Sequence, residues 1–75
     1  MVNAIVTVAD KEKLMAMPTG EFDFSTALGK KVKYYDKNNK EWPGKIIEVS
    51  EPMLVIKFDN YPSGLGQGQM LEIED

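Results

Sequence analysis

From residue 31 to residue 74 the chain repeats one device: a run of four to seven residues in which apolar and polar side chains alternate, followed by a tight break. In the first run Val32 and Tyr34 fall on one face and Lys31, Lys33 and Tyr35 on the other, as an extended strand requires. Asp36-Lys37-Asn38-Asn39-Lys40 then forms a polar turn from residues that tolerate left-handed backbone. Trp42-Pro43-Gly44 opens the second run, residues 45–50, with Pro43 suited to a strand start or a bulge. Glu51-Pro52 breaks it. Residues 53–59 are the most apolar run, with Leu54, Ile56 and Phe58 facing one way. A glycine-rich loop over residues 60–68 leads to a last strand over residues 69–74. Short strands this closely spaced predict a mainly β fold, a small antiparallel barrel over residues 29–75. Its expected core is Val32, Tyr34, Ile47, Val49, Leu54, Ile56, Phe58, Leu71 and Ile73.

The first 28 residues read as an extension to that barrel. Residues 2–8 are β-branched and apolar with partial alternation, which predicts a strand with Ala4, Val6 and Val8 on one face. So apolar a strand is expected to pair with a barrel edge, its own or that of a second copy, the latter giving a strand-exchanged homodimer. Asp10 offers an N-cap for a short helix over residues 11–17, and Pro18-Thr19-Gly20 stops it. Glu21-Phe22-Asp23-Phe24 reads as a half-buried extended segment before a turn over residues 25–29. With 75 residues, 43% of them hydrophobic, the chain has material for one core and no second.

What is missing excludes whole classes of chemistry. Without Cys there is no disulfide, thiolate zinc site or cysteine nucleophile, and without His the usual neutral-pH base and commonest metal ligand are gone. No apolar run approaches a membrane span, and the first residues lack the basic start of a secretory signal. A cytoplasmic, cofactor-free, non-catalytic protein with no membrane partner is the expectation. Gly64-Leu65-Gly66-Gln67-Gly68 lacks the Lys-Ser/Thr ending of a P-loop and the following helix of a dinucleotide fingerprint.

Two patterns point towards binding. Tyr35, Trp42, Phe58 and Tyr61 are placed to line one end of the barrel, with Asp59 or Glu41 as counter-charge for a cation held over the rings. The same rings serve equally as core and end cover, because aromatic side chains dominate burial in small domains. Charge, meanwhile, is split. Residues 30–45 carry six lysines (Lys30, Lys31, Lys33, Lys37, Lys40 and Lys45) against two acids, whereas residues 46–75 carry six acids against one lysine. A lysine-rich strand and turn beside aromatic rings suits a nucleic-acid backbone with stacked bases. An acidic pI near 4.9 and the lack of any Arg weigh the other way.

Trp42-Pro43-Gly44-Lys45-Ile46 and Val55-Ile56-Lys57-Phe58-Asp59-Asn60-Tyr61 resemble the Tudor-like superfamily of SH3-like barrels, which includes Tudor, Agenet and PWWP domains. The resemblance covers residues 29–75 and departs from the Tudor pattern at Asn60, Pro62 and Ser63. It implies a module that binds a protein or peptide through Tyr35, Trp42, Phe58, Asp59 and Tyr61. Residues 29–32 and 42–46 are also similar to type II dihydrofolate reductases, small oligomeric enzymes of the same fold. Of their active-site strand, Gly68-Gln69-Met70-Leu71 keeps only the glutamine.

Overall fold

A computed structural model describes residues 2–10 and 13–74. Its six strands are β1 (Val2–Ala9), β2 (Leu14–Pro18), β3 (Lys31–Tyr35), β4 (Glu41–Ser50), β5 (Met53–Phe58) and β6 (Met70–Ile73). They close into a barrel in the order β1-β2-β5-β4-β3-β6, with β6 returning to β1 and every pair antiparallel. The barrel takes strands from both sides of residue 28, so the N-terminal third is two of its six staves. The expected edge pairing of the first strand is made within the chain, to β2 on one side and β6 on the other.

The expected helix over residues 11–17 is overturned where it can be judged. Residues 14–17 belong to β2, with Leu14 and Ala16 buried and Met15 and Met17 on the opposite face; Lys11 and Glu12 lie outside the described residues. A helix of under two turns cannot offset its nucleation cost alone. As a strand, the same residues pair with both β1 and β5 and bury their small and branched side chains inside.

Ile47 is a second correction: it is 47% exposed, and Ile46 takes its place in the core. The cause is a bulge in β4, where Ile46 pairs with Ile56 but Glu48 already pairs with Val55. One extra residue reverses the in–out alternation, so Ile46 and Val49 both turn towards the core. β1 carries a matching irregularity between Val6 and Val8, which leaves Val8 exposed although Ala4 and Val6 are buried. The Thr7 hydroxyl there donates to the Met15 carbonyl at 3.3 Å. Two bulges bend two strands of the barrel.

The interior is filled by Ala4, Val6, Leu14, Ala16, Val32, Tyr34, Ile46, Leu54, Ile56, Phe58, Leu71 and Ile73. Ala27, from the β2–β3 connection, and Leu65, from the β5–β6 loop, join that core. In the same connection Asp23 caps a single 3-10 turn (Phe24–Thr26), its carboxylate accepting from the Ser25 backbone N–H and hydroxyl. Phe22 and Phe24 meet edge to face at 5.2 Å and pack on the core. Outside, β3, β4 and β5 present lysines, while Met17, Ile5 and Met70 lie side by side across β2, β1 and β6.

Candidate functional site

The antiparallel order brings the β1–β2, β3–β4 and β5–β6 connections to one end of the barrel. At this end Tyr34 pairs with Trp42, and Gly44 with Phe58. Phe58 is buried, Trp42 and Tyr61 are half-buried against the core, and burial pushes the Tyr61 phenol above its ordinary pKa, with Asp10 adding to the shift. Gly44 is what lets the Phe58 ring in. A Cβ built on it would stand 2.9 Å from the ring edge and 3.1 Å from the Lys57 carbonyl oxygen.

The β3–β4 turn is tied down by one side chain. The Asp36 carboxylate accepts hydrogen bonds from the Trp42 indole N–H (3.0 Å) and from the backbone N–H groups of Asn38 (2.8 Å) and Lys40 (2.9 Å). These donors, the indole first, hold its pKa below the usual aspartate value. Asn39 supplies the left-handed residue of the turn, at φ 63°. Lys40 folds back so that its ammonium lies 4.3 Å from the centre of the Trp42 ring. That ring face is already occupied by a cation, and the cation belongs to the protein.

Tyr35 points the other way, out from β3, and donates through its hydroxyl to Glu41 at 3.1 Å, which raises its pKa. Glu41 also approaches Lys33 at 3.8 Å, and Lys33 makes a 2.8 Å ion pair with Glu74. Within that pair the Glu74 pKa is lowered and the Lys33 pKa raised, each chiefly through their shared hydrogen bond. Of the five aromatic-site residues, then, Trp42, Phe58 and Tyr61 pack towards the core. Tyr35 lies on the outer surface, and Asp59 borders a separate depression with Lys45, Ile47, Lys57 and Phe58. They do not form one cage.

The six lysines also separate. Lys30 sits over the Phe22 ring at 5.4 Å, Lys40 over Trp42, and Lys33 in its acidic pair. Lys37 lines a cleft at the aromatic end, and Lys31 and Lys45 pair across β3 and β4.

The cleft itself encloses about 480 Å³ between the β3–β4 turn and the β5–β6 loop. Tyr34, Tyr35, Asp36, Lys37 and Asn38 form one wall; Ser63, Gly64 and Gln69 form the other. Of these, Tyr35 and Lys37 carried a sequence signal. Gly64 and Gln69 carried only fragments of motifs and Ser63 carried none; all three join the site through the fold of residues 59–69, which connect β5 to β6. Among the described residues no cluster of acidic side chains could hold a metal ion, and no helix is long and apolar enough to cross a membrane. The chain matches no protein-family model and, to significance, no curated protein.

Proposed function

We propose that this protein is a non-catalytic interaction module of the Tudor-like, SH3-like kind, and that it holds a polypeptide segment in the cleft between the β3–β4 turn and the β5–β6 loop. The observation that carries this reading is the composition of the cleft. The exposed Tyr35 ring offers apolar contact area above the buried Tyr34, while Asp36, Lys37, Asn38, Ser63 and Gln69 offer donors and acceptors of both signs around it. A peptide backbone needs such a mixture; a phosphate backbone would meet Asp36 at the rim. The wall is also rigid, because the three hydrogen bonds to Asp36 fix the turn before any ligand arrives, which reduces the ordering cost of binding. The superfamily motif at residues 42–46 and 55–61 and the closed barrel support the kinship with Tudor-like domains.

The test is a selection of binders from a random peptide library, followed by an NMR shift titration of labelled protein. Expected are shifts at residues 34–38 and 63–69, little change when salt is raised, and about tenfold or more weakening in Tyr35→Ala. Failure to select any peptide, or shifts confined to other strands, would sink the reading. Single-stranded RNA and duplex DNA run in parallel separate it from nucleic-acid binding, whose affinity falls steeply with salt.

A further inference from the structure

The barrel lines up lysines on neighbouring strands. Lys31 on β3 pairs with Lys45 on β4, and Lys45 pairs with Lys57 on β5, all three exposed on the outer face. The β2–β5 register, with Leu14 opposite Ile56, carries the row one step further, to exposed Lys13 beside Lys57. Adjacent strands lie about 4.8 Å apart, so the three paired backbones span only about 10 Å. Like charges placed directly opposite one another weaken a sheet. Among the described residues none of these three lysines is in an ion pair; Lys31 stands across from Glu74, whose carboxylate is held by Lys33. Where Lys45 faces Lys57 the row is thus a standing cost to the free protein.

Beside it lies a depression of about 230 Å³ lined by Lys45, Ile47, Lys57, Phe58 and Asp59. Ile47 is the residue that the β4 bulge turns outward. Two cations and an exposed branched side chain therefore share one small site.

We infer that the outer face of β3, β4 and β5 binds an acidic polypeptide segment, its carboxylates along Lys31, Lys45 and Lys57 and one apolar side chain against Ile47. A nucleic acid fits this face less well. Its phosphates gain nothing from Ile47, and no aromatic ring of the row awaits a base. Tyr35 stands four residues along β3 from Lys31, about 13 Å away, and is hydrogen-bonded to Glu41. Nor does the chain contain an Arg to grip phosphate in two places. This surface is distinct from the cleft and stands whether or not the cleft takes a peptide.

The experiment is fluorescence anisotropy with three labelled probes: a peptide of glutamates with interspersed leucines, the same peptide with each leucine replaced by serine, and a single-stranded oligothymidylate. The leucine peptide should bind about tenfold tighter than the serine one. Lys45→Gln and Lys57→Gln should each weaken it about threefold, and the double variant about tenfold. Ile47→Ser should bring the leucine peptide down to the serine level and leave the serine peptide unchanged. Both lysine variants should melt no lower than the parent, since each removes a like-charge contact. Tyr35→Ala should leave this binding intact; loss there with none in Lys45→Gln would put the peptide in the cleft and overturn the inference. Tighter binding of the oligothymidylate than of the leucine peptide, or no saturable binding of either peptide, would overturn it as well.

Discussion

Gly44 shows how much one missing atom group decides. Alanine normally outperforms glycine in a strand, because glycine loses more backbone freedom on folding. Here the order should reverse. The added methyl would press on the edge of the Phe58 ring at 2.9 Å and on the Lys57 carbonyl oxygen at 3.1 Å, and the ring is walled in by the core around it. Gly44→Ala should cost about 1–3 kcal/mol, the range for overpacking a filled interior. Urea denaturation measures it, and Phe58→Leu added to Gly44→Ala should recover part of the loss. An unchanged midpoint would show that Phe58 has room to move. Asp36 is the polar counterpart: one carboxylate satisfies an indole and two turn amides, so a single residue sets both the turn and the ring it holds.

At the scale of elements, alternation was a reliable guide where strands are regular and misleading where they are not. Val32 and Tyr34 in β3, Leu54, Ile56 and Phe58 in β5, and Leu71 and Ile73 in β6 are buried as their spacing requires. In β4 the inward residues before and after the bulge, Ile46 and Val49, are three apart, a spacing that no period-two reading can produce. β2 was hidden for another reason. Leu14, Met15 and Ala16 are strong helix formers, and only the two waiting strand edges of β1 and β5 override that preference. The candidate site was less legible still. Its second wall comes from a loop whose course depends on burying Pro62 and Leu65. Lys57 joins the lysine row through a pairing register that bulges shift. Because β1 bridges β2 and β6, removing residues 1–9 strips a partner from both and opens the barrel. Circular dichroism on heating should then show loss of the cooperative transition, with association through the bared edges in light scattering. A monomer of unchanged melting temperature would mean that β1 contributes little.

For the molecule as a whole, closure is made by the first strand meeting the last, with Val2 directly opposite Ile73. Opposed residues of an antiparallel pair stand about 5 Å apart at their Cα atoms. The backbone is therefore nearly a ring, and where it is cut matters less than that the pairing survives. A few flexible residues suffice to join the end of β6 to the start of β1, and the chain can be opened instead between Gly20 and Glu21, both exposed, where a Cβ on Gly20 would meet nothing within 4 Å. Such a rearranged protein should keep the parent amide spectrum outside the new junction and melt within about 10 °C of it; a collapsed spectrum would show that the order of strand synthesis, and not their adjacency, governs folding. The same proximity lets the barrel be spliced into an exposed turn of a host protein, entering and leaving at almost one point. The host would gain a closed barrel with hardly any strain on its own frame.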